Sequence, residues 1–406
     1  MSGQLTINEG PARVVEAPVA RQISVHSVVR ILAERGATSQ ADLAKLTGYS
    51  RQTMSDVVRE LEDAGWLRRS GRTTGKPGRT STVYTLNGNV ALAAAVDLGG
   101  TKVAVAISDL LGTILAETSV PTDRRGGIHV VGQIAREIDA LLASVDADPA
   151  RLRIAVVGTP GVFHPETQHI ALAPNIAGLD SVDLPGELGS RLRVPVLVEN
   201  DVNLAARGEQ WRGGGAGISD FVFLAFGTGV GMGIIANGHL VRGARGAAGE
   251  ISYLPVGGDP YDPRGFDLGT FESAVGSAAI SARYSHAGGT AGQSVREVFE
   301  ALGNGDDAAI ATIEETARVI AQAVASVAAT LDPQLVILGG SIGARQELVE
   351  AISRYLKRCS PNPPDIQASQ LGTRAGLLGA LATALQRLHH ELFGVGLPLA
   401  HPFPVR

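Results

Sequence analysis

Chemistry is densest in this chain where a carboxylate sits beside a carboxamide at the end of an apolar strand. In Val198-Glu199-Asn200-Asp201-Val202-Asn203, Asp201 can take a proton from a hydroxyl, and Asn200 can donate and accept hydrogen bonds in fixed geometry. That pair suits a polyhydroxylated ligand such as a sugar. Three glycine-rich turns follow other apolar stretches: Asp97-Leu98-Gly99-Gly100-Thr101-Lys102, Gly227-Thr228-Gly229-Val230-Gly231-Met232-Gly233, and Leu338-Gly339-Gly340-Ser341. Glycines let backbone amides close on an anion, while Thr and Lys add donors. One such turn alone is a weak signal, and the G-x-x-x-x-G-K-S/T spacing of a Walker loop is missing. Gly158-Thr159-Pro160-Gly161, Ala173-Pro174-Asn175 and Gly249-Glu250 add further polar groups. His26, His129, His164, His169 and His239 show no paired spacing for a metal.

A second chemistry lies near the N-terminus. Residues 1–90 carry twelve Lys and Arg against eight Asp and Glu, net +4, whereas the remainder is net −9. Only the first segment has a charge balance suited to phosphate backbones. Its candidate contacts are Ser50, Arg51, Gln52, Thr53 and Ser55, and beyond them Arg72, Lys76 and Arg79.

These residues need elements to position them. Residues 21–35 place Ile23, Val28, Ile31 and Leu32 at near-helical spacing, and Gly36 ends that helix. Ser39 caps a second helix with Leu43 and Leu46 inward, Gly48-Tyr49 makes the turn, and Ser50 caps a third helix, residues 51–64. A short strand at residues 66–69, a Gly- and Arg-rich loop and a strand at residues 82–86 follow. Helix, turn, helix, strand, basic loop, strand is a winged helix-turn-helix. In that geometry the third helix enters the major groove of double-stranded DNA, and the loop holds phosphates or reaches the minor groove. A protein-docking module with a solvated basic loop is the alternative.

From Val90 the texture changes to apolar strands punctuated by the glycine turns. Three strand-then-glycine turns suggest a nucleotide cleft between two lobes, as in the actin-like ATPase and sugar kinase fold. The expected class is therefore α/β: an N-terminal winged helix-turn-helix, then a two-lobed actin-like body. The chain has 406 residues, 44% hydrophobic and 18% charged, which fits a soluble globular protein of two or three domains. No apolar run reaches the roughly 18 residues that cross a bilayer. Residues 1–20 lack a signal-peptide pattern and read as a disordered tail, so a cytoplasmic protein is expected, with no membrane partner. The single Cys359 excludes an internal disulfide.

The ordered series DLGGTK, GTPG, PNIAGL, ENDVN, GTGVGMGI, RGARGAAGE and LGG resembles the ROK family of repressors and sugar kinases over roughly residues 88–390. The winged helix in front matches its repressor branch. The resemblance implies a small lobe over residues 88–200, joined by a C-terminal helix at 376–390, and a large lobe over 201–375, behind a winged helix at 21–87. It implies that Gly99, Thr101, Lys102, Gly227, Thr228 and Gly229 surround ATP phosphates, with Gly339 and Gly340 near adenosine. It further implies that Asn175, Asn200, Asp201, Glu250 and Glu272 hydrogen-bond a sugar, with Asp201 as the catalytic base if the body is a kinase using ATP and magnesium. Sensing alone requires no cofactor.

Two departures from the family stand out. Its Gly-Glu-x-Gly-His is here Gly249-Glu250-Ile251-Ser252-Tyr253, placing Tyr253 where a histidine would contact sugar and zinc. Its C-x-C-G-x-x-G-C zinc loop is replaced by the cysteine-free GGDPYDPRGFDLGTFE, with Thr270 at the last cysteine position. Asp259, Asp262 and Asp267 are a poor zinc set, so no structural zinc is expected. The expected function is a DNA-binding regulator, a repressor of carbohydrate metabolism, controlled by a sugar or sugar phosphate and acting as a homodimer or homotetramer. An active sugar kinase that also binds DNA is the alternative.

Overall fold

The computed structural model describes residues 19–72, 81–164, 169–171 and 176–393. The expected tail lies almost wholly outside them, as do the wing residues Lys76 and Arg79 and the candidate ligand residue Asn175.

The N-terminal part consists of α1 (Val19–Arg35), β1 (Thr38–Ser39), α2 (Gln40–Thr47), α3 (Arg51–Asp63), β2 (Leu67–Arg72) and β3 (Thr82–Leu86). α1 buries Val25, Val28, Val29 and Leu32, the i, i+3, i+4, i+7 stripe of one helix face. Ile23 was expected on that face, but it sits two positions from Val25, about 200° around the helix, and is 56% exposed. Leu46, also expected inward, lies in the last turn of the short α2 and is 42% exposed. The caps are as expected: Ser39 accepts from Asp42 N–H, Ser50 from Thr53 N–H, and Gly48 ends α2 at φ 74°. α3 buries Met54, Val57, Val58 and Leu61. β1 was read only as a turn and a cap, yet Thr38 pairs with Tyr84, giving a three-stranded sheet of order β1-β3-β2. Two residues are too short for any periodicity to show.

The first body sheet is built from β4 (Leu92–Leu98), β5 (Lys102–Asp109), β6 (Ile114–Pro121), β7 (Leu152–Thr159) and β10 (Val196–Asn200), in the order β10-β7-β4-β5-β6. Between β6 and β7 runs α4 (Gly127–Ser144), whose Val130, Ile134 and Ile138 share a core with the sheet. A hairpin of β8 (Val162–His164) and β9 (His169–Ala171) and then α5 (Leu184–Leu192) precede β10.

After α6 (Asp201–Arg212) come β11 (Phe221–Phe226), β12 (Val230–Ala236) and β13 (His239–Leu240). The helices α7 (Thr270–Val275), α8 (Ser277–His286), α9 (Val295–Gly303) and α10 (Asp307–Leu331) follow. The chain closes with β14 (Leu335–Gly339), α11 (Gly340–Gly343), α12 (Gln346–Cys359), β15 (Asp365–Ala368) and α13 (Ala375–Phe393). The second body sheet has the order β13-β12-β11-β14-β15.

The two sheets repeat one topology. Each has a central strand (β4, β11) that forms an antiparallel hairpin on one side and takes a parallel strand (β7, β14) on the other, with β10 and β15 at the outer edges. Their motifs are equivalent too. The Gly99–Thr101 and Gly227–Gly229 turns are the first hairpins of the two sheets, and Thr159-Pro160-Gly161 corresponds to Gly339-Gly340 after the first parallel strand. Ligands of open α/β sheets gather at such carboxyl ends of parallel strands.

The chain divides into two compact units, Met1–Glu199 with Ala380–Arg406, and Asn200–Gly379. In the first unit, buried His389 of α13 lies 2.8 Å from the Leu110 carbonyl through Nε2. In the second, the start of α13 meets α6 backbone to backbone. A Cβ on Gly379 would lie 1.6 Å from Leu204 O, and one on Gly208 would lie 2.2 Å from Ala375 O. No helix among the described residues is long and apolar enough to cross a membrane.

Candidate functional site

The second unit gathers three of the expected carboxylates. Asn200 caps α6, its Oδ1 accepting the N–H groups of Val202 at 3.0 Å and Asn203 at 3.1 Å. That cap puts Asp201 in the first helical position, where its Oδ1 accepts Val202 N–H at 2.8 Å. Asp201 is half-buried, and burial pushes its carboxyl above the usual carboxylate range, against the opposing pull of the Val202 N–H. Glu250 is also pushed up, by burial first and then by the negative charges of Asp201 and Glu272. Glu272 is raised by burial and partly restored by Val230 N–H. Glu250 therefore feels the charge of both other carboxylates, and the three make an acidic cluster centred on it.

Glycine geometry sets Glu250. Gly249 has φ 96°, and a Cβ there would lie 1.9 Å from Met232 O. Met232 N–H in turn donates to Gly249 O at 3.0 Å, so β12 fixes the residue before Glu250. The neighbouring Gly227–Gly229 turn is held from beneath. Glu272 accepts Val230 N–H at 2.9 Å, and Ser277 Oγ donates to Gly227 O at 2.7 Å. Thr228 and Gly229 face solvent. Ser277 went unnoticed in the sequence because a serine opening a helix reads only as a cap, and its partner is fifty residues away.

The other glycines divide by role. Gly340 has φ 79°, and a Cβ on it would meet Phe226 O at 2.2 Å; a Cβ on Gly339 would strike the Phe223 ring at 2.1 Å. Both are required by packing, whatever they bind. In the first unit, Gly99 N–H donates to Lys102 O at 2.9 Å, and Thr122 Oγ donates to Gly99 O at 2.7 Å. Gly100, Thr101 and Lys102 at this turn are exposed. Exposed glycine turns with Thr and Lys donors fit nucleotide phosphates.

Tyr253 ends a one-turn helix over Ile251–Tyr253, and its hydroxyl donates a long hydrogen bond of 3.4 Å to Asp267 O. Zinc does not fit this region. Asp259 Oδ1 accepts Tyr261 N–H, and among the described residues no three His, Cys, Asp or Glu side chains group to hold a metal ion.

A buried carboxylate that the sequence did not single out anchors α6 at its far end. Glu209 is 0% exposed and accepts the N–H groups of Gly214 and Leu371 and the hydroxyl of Ser369. It fixes the helix that carries Asp201, and a glutamate in a helical stretch gives no sign of this.

The winged helix presents Arg51 and Gln52 exposed at the start of α3, with Thr53 and Ser55 half-buried beside them. Ser50 and Thr53 hydroxyls lie 2.9 Å apart, and Gln52 donates to Asp56 at 3.1 Å. Arg72 is exposed at the end of β2. Neighbouring Arg69 is paired with Glu62 at 2.6 Å.

Comparison with known proteins bears on both parts. Residues 93–387 match the ROK family and residues 21–79 match the MarR family. The glucokinase of Halalkalibacterium halodurans is 31% identical over 307 residues, covering 70% of this chain and 92% of the enzyme. The xylose repressor of Caldicellulosiruptor bescii is 23% identical over 386 residues, covering 90% of this chain and 96% of the repressor. A solved ROK family transcriptional regulator, described as a homologue of the E. coli MLC protein, shares the fold with a TM-score of 0.73 at 23% identity, covering 92% of this chain and 98% of its own. The chain belongs to the ROK family and carries a MarR-type winged helix ahead of its ROK domain.

Proposed function

We propose that the protein is a sugar-responsive transcriptional regulator, most simply a repressor, whose ROK body senses a sugar or sugar phosphate. The observation that carries this reading is the joining of an exposed α3 N-terminus on a winged helix to an acidic cluster of Asp201, Glu250 and Glu272. Carboxylates accept hydrogen bonds from sugar hydroxyls. Arg51, Gln52, Thr53 and Ser55 would meet base edges, with Ser50, Arg72, Lys76 and Arg79 at phosphates. Similarity to the xylose repressor over nearly the whole chain supports the same reading. Two copies of the winged helix would read a palindromic operator with half-sites whole helical turns apart, so a homodimer or homotetramer acting in the cytoplasm belongs to the proposal. Footprinting on genomic DNA at fixed moderate salt tests it. Discrete protected sites are expected, and uniform binding would reject the reading.

A second reading is favoured by Asp201 specifically. A carboxylate whose proton affinity is raised by burial, at the first position of a helix, is suited to take the proton of a sugar hydroxyl. The glycine turns Gly227–Gly229 and Gly339–Gly340 of the second unit would hold ATP, whose magnesium-bound phosphates supply the transferable group. The similar glucokinase keeps this open. Comparing sugar-dependent ATP consumption in wild type and Asp201→Ala decides it, and equal rates reject phosphotransfer.

A further inference from the structure

Exposed aromatic surface is concentrated in one place. Among the described residues, the exposed aromatic side chains are Tyr253, Tyr261 and Phe266, at 48%, 90% and 81%, with Leu268 beside them at 56%. The whole chain is only 4% aromatic, so this grouping within sixteen residues stands out. Singly exposed apolar residues need no explanation, but a cluster marks a binding surface.

Position tells what the surface binds. The segment leaves the acidic cluster three residues after Glu250 and returns to it four residues before Glu272. Both ends are fixed. Gly249 is locked on Met232, and Gly269, at φ 83°, approaches Ser252 so closely that a Cβ would lie 2.2 Å from its carbonyl. The Tyr253 hydroxyl reaches Asp267 O across the base of the loop. The segment that carries Tyr261 and Phe266 is thus a closed loop whose two ends adjoin Glu250 and Glu272. A polar floor that accepts hydroxyls and a rim of aromatic faces match the two chemistries of a carbohydrate, its hydroxyl edge and its apolar C–H face.

Building on the sugar-sensing reading, we infer that the effector is a saccharide of at least two rings. One ring is held by Asp201, Glu250 and Glu272, and the next is stacked on Tyr261 and Phe266. A single ring suffices to occupy the carboxylates, so aromatic side chains held in water beyond them are used by an extended ligand.

The test is calorimetric titration of the full-length chain with paired probes: D-glucose against maltose and cellobiose, and D-xylose against xylobiose. The proposal expects one disaccharide to bind at least tenfold tighter than its monosaccharide. It expects the double variant Tyr261→Ala, Phe266→Ala to lose that factor while monosaccharide affinity stays within twofold. Equal affinities for one and two rings, or a double variant that binds disaccharide as well as wild type does, overturn it and leave the sensor reading intact. Failure of every saccharide to bind overturns the two-ring proposal, while the sensor reading is then tested separately with sugar phosphates. Sedimentation velocity separates the other occupant of such a surface. If the double variant changes the oligomeric state, the rim is an interface between copies of the chain and the proposal is wrong.

Discussion

The Glu272 carboxylate accepts the Val230 N–H at 2.9 Å, so one side chain serves both the acidic cluster and the glycine turn of the second unit. The same oxygen would lie 3.4 Å from a Cβ on Gly229, an ordinary contact that places the carboxylate directly beneath the turn. Glu272→Ala should cost about 1–3 kcal/mol by leaving that N–H unsatisfied. Glu272→Gln, which keeps an accepting oxygen, should cost less than half as much. Urea denaturation of the two variants checks this, and equal losses would contradict the linkage.

Glu250 yields a pH prediction. Its folded carboxyl is raised by burial and by two neighbouring carboxylates, so the folded state holds its proton more tightly than the unfolded chain does. Stability should therefore fall as pH rises from the ordinary carboxylate range through the raised value. Glu250→Gln removes this loss. Melting curves from pH 4 to 8 should show wild type losing stability where the variant stays flatter, with the variant more stable at pH 8 by a few tenths to about 1 kcal/mol. Parallel curves would show that folding does not raise the Glu250 carboxyl.

Glycine contacts separate two kinds of position. Gly379→Ala forces a methyl group against Leu204 O and should cost about 1–3 kcal/mol or more. Gly303→Ala, near the end of α9 with nothing within 4 Å, should be neutral or stabilising by up to about 1 kcal/mol. Chemical denaturation of both checks the contact between α6 and the start of α13.

Where the winged helix meets the body, Leu110 N–H donates to Gly88 O at 2.9 Å, and Asp109, only 8% exposed, lies so close that a Cβ on Gly88 would be 2.3 Å from its Oδ2. Gly88→Ala alone should cost about 1–3 kcal/mol. In an Asp109→Ala background the same change should cost at least about 1 kcal/mol less, because the obstruction is a side chain. Additive effects would place the strain elsewhere.

Much of this architecture was legible in the sequence, for reasons that also explain the rest. α3 was readable because Met54, Val57, Val58 and Leu61 repeat at helical spacing between a serine cap and Gly65. α10 was readable because nothing interrupts its residues 307–331. The glycine turns stood out because each directly follows an apolar run of strand length, not because glycine pairs are scarce in a chain with 51 glycines. Ile23 misled because hydrophobicity was counted without angle, and β1 was hidden by its two-residue length. Contacts distant in sequence left no local trace: the Ser277–Gly227 bond and the Glu209 anchor on Ser369 and Leu371. The correspondence of the motifs between the two sheets emerged only with the strand order.

The central claim, that a saccharide bound at the acidic cluster controls DNA binding by α3, is tested most directly by fluorescence anisotropy. The titration uses a footprinted genomic site at fixed salt, with and without the tightest-binding saccharide of the panel. The account predicts that the saccharide shifts the wild-type Kd for DNA by about five-fold or more, the usual range of coupling between two sites. It predicts that Glu250→Gln abolishes this shift while leaving the sugar-free Kd unchanged, and that Arg51→Ala weakens DNA binding with or without sugar. A wild-type Kd that no saccharide moves, or a Glu250→Gln variant that responds as wild type does, would contradict it.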